Sequence, residues 1–296
     1  MHQPPTPLDV ALDEARRRTV RGLKRLIRPL WLRRLARRNQ NSQEPLLDAQ
    51  GPVVSLTTYG QRLAGVHYTI ESIGAGRVRP SRLMLWIDQS LLNQGLPEPL
   101  RRLERRGLEV HGCADIGPHT KYFHAVNALP GTRGLVTVDD DILYPGDWLA
   151  RLVAAAAAAP HFVHCHRAHQ VSFTADGQFA PYVTWPACRS TEASHHHFFT
   201  GVAGVLYPSA VQRALRDAGN AFVECCPRAD DIWVNAVAWR SGAKVRQLSP
   251  FHPVLFELPG TRNSGLARAN VQGGGNDRQL ADTFGATERQ TLRQAS

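Results

Sequence analysis

The sequence predicts an α/β fold in which a mostly parallel sheet is flanked by helices, preceded by an N-terminal basic amphipathic helical arm. Three observations support this prediction. Strand and helix patterns alternate from Val53 onward, a short apolar run ends at three consecutive aspartates after Val138, and basic residues are concentrated in residues 16–38. Alternating strands and helices favour βαβ units, which place parallel strands in one sheet and helices on both of its faces.

The predicted arm carries most of the excess charge of this +10 chain. Residues 16–38 contain eleven arginines or lysines and no acidic residue. Within this segment an apolar stripe recurs at steps of three or four residues, formed by Val20, Leu23, Ile27, Leu30, Trp31 and Leu35. A basic amphipathic helix of this kind suits an anionic membrane surface. Alternatively, the stripe packs on the rest of the chain and the arginines are solvated. Pro29 is expected to kink or split the helix.

A domain boundary is predicted after the arm, because residues 39–52 are polar and rich in turn formers. The chain then divides into an arm, residues 1–45, and a catalytic domain, residues 46–296. In the first half of the domain we predict strands at 53–57, 83–87, 108–111 and 135–138, and helices at 66–73, 100–106 and 121–129. The ligand site of such a sheet lies beyond the carboxyl ends of its strands.

The strand at 135–138 ends at Asp139, Asp140 and Asp141. Because side chains alternate along a strand, Asp139 and Asp141 are expected to project to the same side. Two converging carboxylates form a site of hard oxygen ligands for Mg²⁺ or Mn²⁺, and such ions keep positions open for substrate phosphates. The alternative is a solvated acidic turn in which Asp147 caps the next helix.

A second acidic pair, Asp230 and Asp231, begins an apolar helical pattern. An acidic residue at a helix N-terminus is stabilised by the helix dipole and by free N–H groups. Helix capping therefore accounts for one of these two aspartates, but it does not require both.

Three segments in order carry a family resemblance: TVDDDI at 137–142, FFTGVAGVLYP at 198–208 and ADDIW at 229–233. This pattern resembles bacterial glycosyltransferases of the GT-A fold, close to glycosyltransferase family 2, over about residues 53–284. The resemblance implies transfer of a sugar from a nucleoside diphosphate donor to a hydroxyl of a glycan or lipid-linked acceptor in surface polysaccharide synthesis. It also implies inversion at the anomeric carbon and a divalent metal, Mn²⁺ or Mg²⁺.

The resemblance assigns donor-side roles in the half at 53–145. Asp141 would be the direct metal ligand, Asp139 would touch both metal and ribose, and His252 would be a third ligand. The remaining residues implied to contact the nucleotide or its diphosphate are Thr57, Tyr59, Arg62, Asp88, Lys121 and Asp140.

The half at 146–296 is expected to bind the acceptor and to end in a C-terminal lid. Here the resemblance makes Asp231 the general base and Asp230 a cap or acceptor contact. Gly201 lies in a glycine-containing apolar segment that suits a backbone passing close beneath a sugar. Trp185 is a candidate platform for a sugar ring, although it also suits core packing. Glycines 273–275 suggest a mobile loop before a short helix, which would close over the nucleotide.

Other functions are less well supported. The sequence has no GxGxxG or Walker loop, and no aromatic-interleaved or zinc-finger pattern that would favour nucleic-acid binding. The histidines at 164–169 and 195–197 are expected to lie in loops, because three adjacent histidines cannot easily bind one zinc ion. Five cysteines without a CxxC pair predict reduced thiols, and the start of the chain does not have the pattern of a secretory signal, so a cytoplasmic enzyme at the inner membrane face is expected.

Two alternatives to a working glycosyltransferase remain. One is a catalytically inactive GT-A domain that acts as a membrane-tethered scaffold. The other is a Mg²⁺-dependent phosphohydrolase of the haloacid-dehalogenase type, which also places DxD at a strand end. That family requires DxDxT, and Leu143 occupies the threonine position here.

Overall fold

A computed structural model describes residues 5–129, 131, 133–261, 270–271 and 273–295 of the chain. Its helices are α1 Pro7–Asn41, α2 Val66–Gly74, α3 Gln89–Asn93, α4 Glu98–Glu104, α5 Thr120–Ala128, α6 Trp148–Ala158, α7 Ser209–Ala218, α8 Phe222–Cys225, α9 Asp230–Arg240, α10 Gly275–Thr283 and α11 Ala286–Gln294. Its strands are β1 Val53–Thr57, β2 Arg82–Asp88, β3 Leu108–Cys113, β4 Leu135–Thr137, β5 Ile142–Leu143, β6 Val163–Cys165, β7 Ala168–Gln170, β8 Ala193–Ser194, β9 His197–Phe199, β10 Val205–Tyr207, β11 Val245–Gln247 and β12 Phe256–Glu257.

The central sheet has the strand order β3-β2-β1-β4-β10-β6-β11-β8 in the described residues. Strands β1 to β4 pair in parallel, as do β6 and β11, whereas β10 and β8 are antiparallel to their neighbours. The predicted α/β class with a mostly parallel, helix-flanked sheet is confirmed. The four predicted strands and three predicted helices of the first half are all present, with ends shifted by up to two residues.

The two faces of the sheet pack against different helices, because alternate residues of each strand point to opposite faces. Met84 and Trp86 of β2 join a core containing Tyr122 of α5 and Trp233 of α9. Leu83 and Leu85 join a second core with α2, α4 and α6. Burial on both faces explains why β2 is a continuous apolar run rather than an alternating one.

Helix α1 is continuous from Pro7 to Asn41, so Pro29 does not split it. Thr6 caps its N-terminus in a capping box with Asp9, whose backbone N–H donates to the threonine hydroxyl. Near its C-terminal end Leu35 is buried against Leu143 and Leu258. No helix in the described ranges has the length and apolarity needed to cross a bilayer.

The histidine-rich segments differ from the sequence prediction. His164 lies in β6, His169 in β7 and His197 in β9. The prediction that these three histidines lie in loops is therefore wrong. Pairing with neighbouring strands stabilises them in extended conformation. All five cysteines are free thiols.

Candidate functional site

Strands β1 and β4 lie side by side and form the topological switch point of the sheet, since β2 follows on one side of β1 and β4 lies on the other. Ligands of open α/β sheets bind in the crevice outside the carboxyl ends of the strands at such a point. Thr58 and Arg62 follow β1, and the three aspartates follow β4, at this edge.

The three aspartates differ in environment. Asp140 is buried, and its carboxylate accepts hydrogen bonds from the Thr58 hydroxyl at 2.5 Å and from Arg62 Nη1 at 2.7 Å. The side chains of Asp139 and Asp141 are 30% and 16% exposed. Asp140 therefore fixes the first turn after β1 through Thr58 and Arg62, and its expected contact with the nucleotide stays a prediction.

Asp139 and Asp141 have the charge that a divalent cation would balance. Burial, followed by the nearby Asp139 carboxylate, raises the pKa of Asp141 to about 6, although Arg62 Nη1 lies 3.3 Å from Asp141 Oδ2. Magnesium is commonly held by one or two carboxylates together with substrate phosphates. These two side chains fit Mn²⁺ or Mg²⁺ in that manner.

His252 does not belong to this site. Among the described residues, no three His, Cys, Asp or Glu side chains converge to hold a metal ion. The Nε2 atom of His252 instead lies 2.7 Å from the backbone oxygen of Ala168, and burial lowers the pKa of its imidazole to about 4. This geometry does not support His252 as the third ligand, because its imidazole contacts the backbone of β7, which in the described residues forms a separate two-stranded sheet with β9.

Lys121 joins the two acidic segments. Its Nζ atom lies 2.8 Å from Asp139 Oδ1 and 3.0 Å from Asp230 Oδ2. Burial alone would lower the pKa of this lysine, but the carboxylates of Asp139, Asp230 and Asp231 outweigh burial and raise the pKa well above its ordinary value. Helix α5 thus places a permanent positive charge between the end of β4 and the start of α9.

Asp231 is held by the backbone of the 198–208 segment. The Gly201 N–H donates to Asp231 Oδ1 at 2.9 Å. Burial, together with the neighbouring Asp230 carboxylate, raises the pKa of Asp231 to about 7, while Lys121 acts in the opposite direction. A carboxylate with a pKa near neutrality is suited to accept a proton.

Gly201 permits the close approach of these groups. A Cβ atom at this position would lie 3.0 Å from Asp231 Oδ1 and 3.2 Å from Lys121 Nζ. Gly201 therefore leaves room for the Asp231 carboxylate and the Lys121 amine to lie close to the backbone.

Two residues missed by the sequence analysis fix these segments to one another. Asn235, one turn after Asp231 in α9, donates to the Asp231 backbone oxygen at 2.7 Å and accepts from the Phe199 N–H at 3.2 Å. The Tyr144 hydroxyl accepts from the Asp139 N–H and donates to the Val202 oxygen, both at 3.1 Å. The contact of Asn235 could have been predicted from sequence, because a residue four positions after Asp231 lies beside it on a helix. The contacts of Tyr144 could not, because they depend on the fold.

The remaining predicted residues lie in three kinds of environment. The Thr57 hydroxyl donates to the Trp86 oxygen at 3.0 Å, and Asp88 caps α3 through the Ser90 N–H at 2.8 Å. Tyr59 is 43% exposed, and the Arg62 guanidinium lies over its ring. Trp185 is buried in the core and donates to the Ala180 oxygen at 2.9 Å, so it has no free face for a sugar.

The predicted closing loop contains glycines 273–275, which the structure describes, whereas residues 262–269 and 272 before it lie outside the described residues. The short helix expected after it is present as α10.

No protein-family model matches this chain, and no curated protein matches it. Among solved structures it is similar to the mannosyltransferase PcManGT from Pyrobaculum calidifontis in complex with GDP-Man and Mn²⁺, with 16% identity and a TM-score of 0.45 over 79% of this chain and 66% of that one. It is also similar to S. aureus TarS 1-349 in complex with UDP-GlcNAc, with 13% identity and a TM-score of 0.45 over 69% and 57%. A third structure, a 4-diphosphocytidyl-2C-methyl-D-erythritol synthase, has 10% identity and a TM-score of 0.42 over 67% and 90%. The chain spans less than two thirds of the first two structures.

Proposed function

We propose that this chain is a metal-dependent glycosyltransferase that moves a sugar from a nucleoside diphosphate donor to an acceptor hydroxyl. One observation carries the proposal: Lys121 contacts an acidic residue of each of two segments, Asp139 at 2.8 Å and Asp230 at 3.0 Å. These contacts support a site in which Asp139 would bind the metal, Lys121 would bind a diphosphate and Asp231, next to Asp230, would act as the base.

On the donor side, Asp139 and Asp141 would hold Mn²⁺ or Mg²⁺ against the diphosphate. The ion would supply Lewis-acid stabilisation of the negative charge that grows on the departing nucleoside diphosphate. Arg62 sets the position of Asp141 through its 3.3 Å contact. Exposed Tyr59, with Thr57 and Asp88 at the neighbouring strand ends, remains proposed to contact the base and ribose.

Lys121 would exchange partners when the donor binds. In the described residues its amine is held by carboxylates, and a diphosphate oxygen offers the same kind of charge-assisted hydrogen bond. Because its pKa lies well above the ordinary lysine value, the amine stays charged and acts by electrostatic stabilisation, not as an acid.

On the acceptor side, Asp231 would take the proton from the attacking hydroxyl. A sugar hydroxyl is a weak nucleophile, so a carboxylate within hydrogen-bond reach must accept its proton as the bond to carbon forms. A pKa near 7 suits this task, and the Gly201 N–H fixes the carboxylate by one oxygen, leaving the other for the substrate. Attack opposite the diphosphate would invert the anomeric carbon.

The biological setting is part of the proposal. The basic arm would keep the enzyme in the cytoplasm at the inner face of the membrane, and the acceptor would be a glycan or lipid-linked intermediate of bacterial surface polysaccharide synthesis. The eleven basic residues of 16–38 support this placement, because each is worth about 1 kcal/mol near an anionic surface before discounting for salt and geometry.

The test separates donor binding from chemistry. Calorimetry with UDP and GDP, each with and without Mn²⁺, is combined with transfer assays using nucleotide sugars on the wild type, Asp141→Asn and Asp231→Asn. Asp141→Asn should lose metal-dependent binding, and Asp231→Asn should bind normally but turn over about 10²-fold more slowly. Asp147→Asn, an exposed acid close in the chain, is the matched control and should behave as wild type.

Three results would contradict the proposal. Donor binding by the wild type without any transfer would indicate a catalytically inactive scaffold. Metal-dependent nucleotide affinity that is unchanged in Asp141→Asn would remove the acidic segment from the donor site. Retention of the donor's anomeric configuration, detected by NMR of the product, would remove the direct displacement that assigns Asp231 its role.

A further inference from the structure

Exposed apolar side chains are concentrated on one helix. Nine large hydrophobic residues are exposed among the residues that the structure describes, and six of them belong to α1. They are 39–68% exposed, and they are Leu8, Leu12, Leu23, Leu26, Ile27 and Leu30. The rest of the described chain exposes only Tyr59, Val183 and Val223 in this class. A concentration of this kind marks an interaction surface.

The five leucines among these residues form the outward face of α1. The opposite face contacts the catalytic domain: Arg17 donates to the His252 oxygen, Lys24 Nζ lies 3.5 Å from Glu257, and Trp31 packs edge-on against Phe256 at 5.5 Å between ring centroids. In a helix with 3.6 residues per turn, residues 17, 24, 31 and 35 share one side, and residues 8, 12, 23, 26 and 30 lie on the other. Leu8, Leu12, Leu23, Leu26 and Leu30 therefore point away from the domain, whereas Ile27, the least exposed of the six at 39%, lies at the border between the two sides.

Basic residues accompany this face. Arg16, Arg33, Arg34 and Arg37 are exposed, and no acidic residue occurs between Glu14 and Glu44. A helix with leucines on one side and arginines beside them lies in a membrane interface, with its apolar side chains among the acyl chains and its guanidinium groups at the phosphates.

Other occupants fit less well. A second copy of the chain would bring two strongly basic segments together, and like charges at close range are unfavourable. A polyanion such as nucleic acid would pair with the arginines but leave the leucines in water. An anionic bilayer satisfies both features. Helix α1 need not cross it, because its 35 residues are long enough for a span but are not apolar enough.

We propose that the outward face of α1 is a bilayer-docking surface that inserts its leucines into an anionic membrane. The inward face links this surface to the acidic site. Strand β12 beneath α1 pairs with β5, which directly follows the three aspartates. The Leu258 N–H also donates to the backbone oxygen of Asp141 at 2.7 Å. Docking would thus hold the acidic site at a fixed distance from the membrane surface. This consequence rests on the proposed function, because it matters only if the acceptor is lipid-linked.

The experiment compares full-length variants for binding to vesicles of phosphatidylcholine, with and without phosphatidylglycerol, at physiological salt. Leu23→Ser, Leu26→Ser and Leu30→Ser combined should weaken binding to anionic vesicles by about tenfold or more, since each leucine that leaves water contributes to binding. The matched control, Val183→Ser with Val223→Ser, removes exposed apolar side chains elsewhere and should bind as wild type. Methionine at the same three leucine positions should also preserve binding.

Equal vesicle binding by the serine triple variant and the wild type would overturn the proposal. So would a lipid-free dimer, seen by sedimentation, that the triple variant abolishes, because that result assigns the face to a second copy. Circular dichroism of the variants checks that α1 remains folded. Metal-dependent UDP and GDP binding, measured on the same samples, should be unchanged, so failure of the docking surface is distinguished from failure of the proposed catalytic function.

Discussion

Lys121 Nζ donates a 2.8 Å hydrogen bond to Asp139 Oδ1 and thereby ties helix α5 to the acidic end of strand β4. The same amine lies 3.0 Å from Asp230 at the start of α9. One buried cation thus balances carboxylates from both halves of the domain, and the predictions below depend on that arrangement.

Replacing Lys121 should affect both the free energy of unfolding and the pKa of Asp231, the proposed base. In Lys121→Met, Asp139 and Asp230 lose their shared partner, and breaking a buried ion pair costs about 3–5 kcal/mol of unfolding free energy. The pKa of Asp231 should also rise further, because Lys121 lowers it. Urea denaturation and the pH profile of transfer measure the two effects. Lys121→Arg, which retains the charge, should lose less of both; equal losses in the two variants would contradict the electrostatic role.

Asp140 and Asp141 should differ when each is changed to asparagine. Asp140→Asn removes the 2.7 Å ion pair with Arg62 and should lower the free energy of unfolding by about 2–3 kcal/mol. This loss is smaller than for an isolated buried pair, because Arg62 keeps its ion pair with Asp141. Asp141→Asn relieves repulsion from Asp139 and should change stability little while removing metal-dependent nucleotide binding. Denaturation curves and calorimetry on both variants check this; equal stability losses would show that the two roles are not divided.

Gly201→Ala should impair turnover with little loss of fold. The new Cβ would lie 3.0 Å from Asp231 Oδ1 and 3.2 Å from Lys121 Nζ, so both side chains must shift. Because a misplacement of about 1 Å can cost about 10²-fold in rate and this contact requires a smaller shift, we expect kcat to fall by roughly several-fold to tenfold. The control is Gly146→Ala, where a Cβ would meet no atom within 4 Å. Near-normal kcat in Gly201→Ala would show that the close approach is not needed for catalysis.

The raised pKa of Asp231 predicts two pH effects. Transfer should fall as pH drops below about 7, because protonation removes the base. The contribution of Asp231 to the free energy of unfolding should instead increase as pH drops. A carboxyl whose folded pKa is raised contributes stability below its unfolded pKa, and this contribution is lost as pH rises through about 7. Asp231→Asn should therefore become more stable relative to wild type between about pH 4 and pH 8, as measured by denaturation across that range. A difference in unfolding free energy between the two proteins that stays constant across this pH range would contradict the raised pKa of Asp231.

The two ends of α1 should differ in their contribution to stability. Removing residues 1–30 takes away the outward leucines but leaves Leu35, packed on Leu143 and Leu258, and Asn39, bonded to Glu71 at 3.2 Å. Removing residues 1–45 also removes Leu35 and Asn39 and exposes the residues they contact. The lost leucine contacts alone should lower the free energy of unfolding by a further 2–5 kcal/mol or so. Thermal denaturation of the two truncated proteins provides the comparison. Equal melting temperatures would show that the end of α1 is not part of the folded core.

Much of the fold was predictable because its signals are local. The apolar runs at β1, β2 and β4 and the helical pattern after Asp230 depend on side-chain periodicity, which neighbouring residues determine. Alternation along the chain after β4 likewise predicted that Asp139 and Asp141 would project to the same side. The antiparallel β10 and β8 were not predicted, since strand partners depend on contacts between distant segments.

The sequence by itself determined the α/β class, the acidic end of β4, the acidic start of α9 and the basic character of α1. Only the tertiary structure decided which of these residues meet. It placed Lys121 between Asp139 and Asp230, turned Asp140 towards Arg62, buried Trp185 and directed His252 to the Ala168 oxygen. The physical reason is that composition and periodicity fix how each segment folds, whereas the partner of a buried polar side chain depends on which distant donor or acceptor the packed chain brings within hydrogen-bond reach.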